Sequence, residues 1–227
     1  MPQMTDKMNK HALSSEQTKE KLIQAGVRLF ALSGVSGVRT RQLAEEAGVN
    51  QSAIPYHMGG KSGVYAAVIR KITDDLAAVT DVSGIDAATA ALMVQAHPGK
   101  TALKTVLTSM VTGLCRALLS PERALYATLI LREQLEQTEN YNVIYQSFIE
   151  PFHEQLTRLV QLADVQADTK TAIIRAHALI GQILGFVVAQ KAYLRRSEET
   201  SVSEDSLTAI TGQIVLLSCR ALGLDQE

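Results

Sequence analysis

The chain has 227 residues, 46% of them hydrophobic and 20% charged. That is enough to bury a core without disulfides or metals, and it excludes a chain disordered throughout. Aromatic residues make up 4%, with 5 prolines and no tryptophan, so strand and turn formers are scarce and helix formers dominate. The formal charge of -1 marks no partner by itself, but it is unevenly spread. Residues 1–70 hold nine Lys/Arg against five Asp/Glu, a net +4, leaving 13 against 18, a net −5, for the remainder. A basic N-terminal piece on an acidic body fits a small nucleic-acid-binding module on a larger domain, although solvated surface charge gives the same split.

Cys115 and Cys219 lie far apart with no metal-ligand spacing around either. They are expected to be reduced, buried thiols of a cytoplasmic protein. No metal and no cofactor is expected. Residues 1–10 are polar and lack the apolar run of a signal peptide. The most apolar stretch, 172–190, is interrupted by Arg175, His177, Gln182 and Gln190, so no membrane span is expected.

The N-terminal segment reads as four helices. Ser14 and Gln17 form a capping-box pattern, and Leu22, Ile23, Val27, Leu29 and Phe30 follow at helical spacing. Gly34 is placed to end that helix. Thr40 can cap a second helix with Leu43, Ala44 and Ala47 on one face. Gly48 supplies a tight turn with Val49 beneath it. A third helix contains Ile54 and ends at Gly59-Gly60. A fourth begins near Lys61, with Val64, Val68 and Ile72 one turn apart.

Residues 40–57 are therefore helix, glycine turn, helix, and the small Ala44 and Ala47 let the two helices approach closely. Such a helix-turn-helix presents its second helix to a DNA major groove; an ordinary helical hairpin shares the pattern. The stretch Arg39-Thr40-Arg41-Gln42-Leu43-Ala44-Glu45-Glu46-Ala47-Gly48-Val49-Asn50-Gln51-Ser52-Ala53-Ile54-Pro55-Tyr56-His57-Met58-Gly59-Gly60-Lys61 resembles the DNA-binding signature of TetR-type repressors. The resemblance covers about 14–72.

It implies an all-α fold with a helix-turn-helix domain over 14–72 and a helical ligand-binding and dimerisation domain over 73–227. It also implies site roles that the chemistry supports. Arg39, Thr40 and Arg41 stand at a helix N-terminus, where N–H groups, a hydroxyl and guanidinium groups can hold a phosphate. Gln51, Ser52 and Ala53 open the recognition helix; Gln pairs with adenine and the Ala methyl meets a thymine methyl. Pro55, Tyr56 and His57 continue that face, and Lys61 is similar to the family's phosphate-contacting lysine.

Three residues depart from the family pattern. Pro55 disturbs the third helix if Asn50 caps it, because a proline lacks the N–H for the helical bond. If Ser52 is the cap, Pro55 is the third helical residue and costs nothing, but the helix is very short. Met58 replaces the usual aromatic, and Gly63 puts a weak helix former into the first turn of the fourth helix. Gly60-Lys61-Ser62 echoes a phosphate-binding P-loop, but Pro55 stands where that loop needs glycine, and no strand precedes it.

Residues 81–100, including His97, are ambiguous between helix and loop. Helical patterns then cover 101–119, 121–138, 141–163, 169–194 and 203–222. Pro121 suits a first helical turn. Pro151 interrupts the stripe of Ile144, Phe148, Phe152, Leu156 and Leu159, and should kink or split that helix. Ser197–Ser206 reads as an exposed acidic loop. Leu131-Arg132-Glu133-Gln134-Leu135, Phe148-Ile149-Glu150-Pro151-Phe152-His153 and His177 to Phe186 resemble the C-terminal domain of the CecR (YbiH) branch of the same family. That resemblance implies a small-molecule sensor, often controlling transport or drug-efflux genes.

Leu207, Ile210, Ile214, Leu217 and Ala221 recur with 3-4-3-4 spacing, a pattern of knobs packing on a partner helix. Gly181 and Gly185 would admit another helix closely, so these seven residues are the expected homodimer interface. Tyr126, Arg132, Tyr145, His153, His177 and Gln182 are polar or amphipathic groups in apolar helices. They are the candidate ligand-binding residues, although polar groups in a core also satisfy one another.

The expected function is a dimeric, ligand-responsive regulator, most simply a repressor, of double-stranded DNA carrying an inverted-repeat operator. The competing readings are a helical partner-binding protein without DNA affinity and an enzyme. Against the enzyme, the five histidines are scattered and no nucleophile motif or phosphate loop accompanies them.

Overall fold

The computed structural model describes residues 3–95 and 98–225, with side chains from residue 14; His97 lies outside the described residues. Among the described residues all regular structure is helical, as composition implies. The helices are α1 (Gln3–Gly37), α2 (Thr40–Ala47), α3 (Ala53–Met58), α4 (Lys61–Thr80), α5 (Val82–Met93), α6 (Lys100–Leu119), α7 (Ala124–Glu136), α8 (Tyr141–Ile144), α9 (Glu150–Ala163), α10 (Thr169–Val188), α11 (Gln190–Ser197) and α12 (Glu204–Ala221). The chain divides into two compact units. One runs to Thr73 and includes Thr128–Val143; the other comprises Asp74–Ala127 and the chain from Ile144 on. The second half of α7 thus belongs with the N-terminal helices, which a division into two successive segments does not anticipate.

In the N-terminal unit, α1 begins at Gln3, well before the expected cap. Ser14 lies inside the helix, where its carbonyl accepts a hydrogen bond from Thr18 Oγ1 at 2.8 Å. Gly34, at φ 66 and ψ 171, turns the chain out of the helix, a conformation that only glycine adopts cheaply. Leu22, Phe30, Leu43, Ile54, Val64, Val68 and Ile72 are buried from four helices and form the core. Phe30 meets Tyr65 edge-on at 5.1 Å between ring centroids.

In the second unit α6 is central and packs against α5, α9, α10 and α12. Its Leu107, Met110, Leu114 and Cys115 are buried, as is the stripe of Ile144, Phe148, Phe152, Leu156 and Leu159. Pro151 acts as its chemistry requires. The five residues Tyr145–Ile149 form a π-helical turn, and α9 restarts with the proline in its first turn, where its missing N–H costs nothing. Pro121 opens a 3-10 turn before α7. Asp168 and Ser203 cap α10 and α12, accepting from the backbone N–H of Thr171 and Ser206. Both cysteines are free and buried; burial pushes the Cys115 thiol up to about 11, so it is not a ready nucleophile.

Part of the expected dimer seam is covered within the chain itself. Leu207, Ile210 and Ile214 are buried within the chain, on the face of α12 that packs against α6. A 3-4-3-4 stripe serves an intrachain core as well as a partner. Beside that buried face α12 leaves Leu216 and Leu217 exposed, the latter at 51%, with Ala221 exposed at its end. On α10, Gly181 and Gly185 are exposed, alongside Ile173, Ile174 and Val188. By length and composition α6 and α10 could each cross a membrane, with mean hydropathy 1.3 and 1.6. α6 spends its apolar surface on the core, whereas α10 buries only part of its own.

Candidate nucleic-acid interface

The turn between α2 and α3 is built by glycine. Gly48 adopts φ 63, ψ 38; its N–H bonds Glu45 O at 3.2 Å and the Val49 N–H bonds Ala44 O at 3.0 Å. These contacts satisfy the last carbonyls of α2. Leu43, Ala44 and Ala47 are buried beneath it. At the other end of α2 the cap is Arg39, not Thr40. Arg39 is extended and its N–H donates to Gln42 Oε1 at 2.8 Å, leaving Thr40 as the first helical residue.

The ambiguity at Pro55 resolves by combining its two alternatives. Regular α-helix starts at Ala53, after Ser52. The preceding turn is tighter: Ala53 N–H bonds Asn50 O at 2.9 Å and Ile54 N–H bonds Gln51 O at 3.2 Å. Asn50 Oδ1 accepts from both the N–H and the hydroxyl of Ser52, at 3.0 and 2.9 Å. The Gln51 carbonyl, which a residue with an N–H at 55 would reach, is already occupied. Pro55 therefore leaves no bond unmade, and α3 is short.

Gly59 ends α3 in the left-handed region, with the Gly60 N–H on Ile54 O at 3.4 Å. Gly63 has its own reason: a Cβ there would sit 1.6 Å from Met58 O, so the α3–α4 corner closes only over a bare backbone.

This framework leaves a polar face outward. Arg39, Arg41, Gln51, Ser52 and Pro55 are exposed, and Thr40, Ala53, His57 and Lys61 are half-buried. Tyr56 is 83% exposed, so it does not pack into the core. It stands edge-on to His57 at 4.7 Å between ring centroids, and His57 Nδ1 shares a hydrogen bond with Ser15 Oγ at 3.1 Å. Arg41 Nε pairs with Glu45 at 2.7 Å, and that hydrogen bond, with the carboxylate's charge, raises the guanidinium's pKa further. Lys61 has a structural contact that sequence reasoning missed. Its ammonium donates to Val35 O at 2.8 Å and Val38 O at 2.9 Å, holding the segment that follows the turn at Gly34 and leaving one N–H beyond those two bonds.

The candidate ligand residues do not form one site. Arg132 belongs to the N-terminal unit, where its Nε donates to Ala31 O at 3.3 Å and it pairs with Glu136 at 3.4 Å. It is therefore not an anchor of a pocket in the second unit. Tyr126 donates to Asp75 at 2.8 Å under the guanidinium of Arg123, and Tyr145 is 38% exposed in the π turn. His153 and His177 do meet, stacked at 5.4 Å between ring centroids. Burial, and then the neighbouring His177, lower the pKa of His153. Gln182 lines an open cleft of about 510 Å³ with Asp164, Arg175, Leu179 and Leu222. Missed by the sequence reading are three buried polar atoms without partners among the described residues, Thr89 Oγ1, Gln155 Oε1 and Ser218 Oγ; the first two lie on α5 and α9, which pack together. Facing helices so far apart in sequence give no local signal of this kind.

Comparison with known proteins agrees with this geometry. Residues 22–68 match the model of bacterial regulatory proteins of the tetR family. Residues 100–222 match that of the C-terminal domain of the HTH-type transcriptional dual regulator CecR. The CecR of Shigella flexneri is 30% identical over 206 residues, covering 89% of this chain and 91% of that protein. The regulator SrpR of Pseudomonas putida is 37% identical over 60 residues, 26% of this chain and 28% of that protein.

Two crystal structures share the fold. Mycobacterium smegmatis AmtR has a TM-score of 0.57 at 16% identity, covering 92% of this chain and 87% of that one. AibR, solved with isovaleryl coenzyme A and operator DNA, has a TM-score of 0.63 at 13% identity, covering 88% and 97%. A helix-turn-helix with an outward polar face, on a sequence matched over most of its length by a transcription regulator, is a regulator's architecture and not an enzyme's. The chain belongs to the TetR family of bacterial transcription regulators, with a C-terminal domain of the CecR type.

Proposed function

We propose that the protein acts in the cytoplasm as a homodimer that reads an inverted-repeat operator with α3 and leaves it when a small molecule binds the second unit. The observation that carries this reading is α3 itself. Gln51, Ser52 and Tyr56 are exposed on α3 and the tight turn that opens it, where Pro55 leaves no helical bond unmade. Arg39, Thr40 and Arg41 at the start of α2 are assigned to phosphate, as is the remaining N–H of Lys61. Gln51, Ser52 and Ala53 are assigned to base edges, with Pro55, Tyr56 and His57 flanking them.

The dimer reading rests on the uncovered apolar face of α10 and α12, with Ile173, Ile174, Val188, Leu216 and Leu217 exposed. Gly181 and Gly185 have no atom within 4 Å of an added Cβ, room that a partner helix can fill. A two-fold copy covers such a patch with the same patch. Two α3 helices about one DNA turn apart then require a palindromic site.

The sensor reading rests on the buried, unpartnered Thr89 Oγ1 and Gln155 Oε1. Each costs stability unless a hydrogen-bonding molecule supplies its partner. AibR, of the same fold, was solved with isovaleryl coenzyme A and operator DNA. Repression of transport or efflux-type genes is the primary reading. The relative CecR is described as a dual regulator, which favours activation at some sites as the second. The direct test is a gel-shift titration of the DNA upstream of the protein's own gene, followed by a thermal-shift screen of small molecules and a DNA-release assay for each hit. Binding to that DNA with release by a hit supports the reading; absence of specific binding removes it.

A further inference from the structure

Within the N-terminal unit, the second half of α7 meets α1 and α4 at two adjacent residues. Glu133 is 1% exposed and Tyr65 3%. The Tyr65 hydroxyl donates to Glu133 Oε1, and Thr138 Oγ1 lies 3.0 and 2.9 Å from the two carboxylate oxygens. A buried carboxylate is tolerated because hydroxyl donors surround it. Burial and the hydrogen bond to Glu133 raise the Tyr65 pKa, which keeps that hydroxyl a donor. The neighbouring Arg132 points at α1. Gly34 turns the chain out of that helix, and the helix's last carbonyls need donors from elsewhere. Arg132 Nε supplies one to Ala31 O at 3.3 Å. A Cβ on Gly34 would lie 3.2 Å from Arg132 Nη1, so the glycine provides both the turn and the space for the guanidinium. Lys61 closes the same loop from α4, on Val35 O and Val38 O.

We infer that Arg132 and Glu133 are positioning residues for DNA recognition. Glu133 fixes α7 to α4, and Arg132 then holds the α1 terminus from which Arg39 and α2 depart. They touch no DNA; they set the direction in which the helix-turn-helix is presented. The inference rests on the dimer reading above, because presentation matters only when two recognition helices must fit one duplex.

The two α3 helices of a well-held dimer match one half-site spacing. Arg132→Ala removes one charged donor from a side chain that is one-third exposed, so the fold survives. We expect affinity for the full inverted repeat to fall about tenfold, the size of a lost charge-assisted hydrogen bond, while single half-site affinity stays the same. The preference for the native spacing over duplexes lengthened or shortened by one base pair should flatten. Arg132→Lys, which still offers a donor to Ala31 O, should restore both. Leu135→Ala, at an 85% exposed position of the same helix, should change neither. Amide exchange at Val35–Val38 in the free protein should quicken in Arg132→Ala only.

A stability defect would instead lower half-site and full-site binding together. An Arg132→Ala protein that keeps the spacing preference and the slow exchange overturns the inference. A wild-type protein that binds half-sites as tightly as full repeats overturns the dimer reading, and the inference with it.

Discussion

The carbonyl of Met58 occupies the space that a side chain at Gly63 would need, with 1.6 Å between that oxygen and a Cβ. The corner between the recognition helix and α4 is thus closed backbone against backbone. Gly63→Ala must push the two helices apart. Overpacking of this kind costs about 1–3 kcal/mol, and the displacement falls on α3. The expected result is a lower melting temperature and at least about a tenfold loss of operator affinity. Gly99→Ala, where an added Cβ meets nothing within 4 Å, is the control and should bind DNA normally.

Base-reading and phosphate-holding residues separate by salt. Arg41→Ala should weaken binding to every sequence and reduce the slope of log affinity against log salt by about one, because a phosphate contact carries no base information. Gln51→Ala should cost about 1–3 kcal/mol and relax preference at one base position with the slope unchanged. Lys61→Ala should lower the melting temperature as well as the affinity, since it removes the ammonium that ties Val35 O to Val38 O. A Lys61→Ala protein of full stability would contradict that double role.

Much of the helix-turn-helix was legible because its determinants are local. Gly34, Gly48 and Gly59 each adopt positive φ, and a glycine after a run of helical spacing signals that by itself. Pro55 could not be resolved in sequence. The outcome depends on where Asn50 Oδ1 points, and both cap positions were chemically allowed. Arg132 was misplaced because its partner, Ala31, lies 101 positions away, and a cation in an apolar helix reads alike in a pocket or on a helix end. The stripe on α12 was read as a seam because periodicity finds a face without saying what covers it.

The proposed dimer face is the apolar surface that this packing leaves uncovered. Leu216→Asp with Leu217→Asp puts charges on the exposed side of α12, where a partner would have to desolvate them. Sedimentation should show a folded monomer with helical content unchanged. Ile214→Asp, at a position 2% exposed within the chain, should unfold the second unit instead. An intact dimer from the double variant would place the interface elsewhere.

His153 sets an acid limit. Burial first, and His177 second, lower its pKa below the ordinary 6.5. Its neutral form is favoured in the folded state, while the unfolded chain takes up the proton at the ordinary value. Its contribution to stability is therefore whole above pH 6.5 and is lost as the pH falls below that value, until the folded-state pKa is passed. Melting temperatures of wild type and His153→Asn, compared from pH 7.5 down to 5, should converge on acidification. Parallel curves would remove His153 from the account.

The central claim is that two copies of α3 read one palindrome. The measurement is an equilibrium titration of the full-length protein against fluorescent duplexes carrying the inverted repeat from its upstream DNA, one half-site alone, and a scrambled sequence, at fixed salt. The account predicts two protomers per full repeat, with affinity at least about a thousandfold above the scrambled duplex and far above the half-site. Equal affinity for all three duplexes would contradict it.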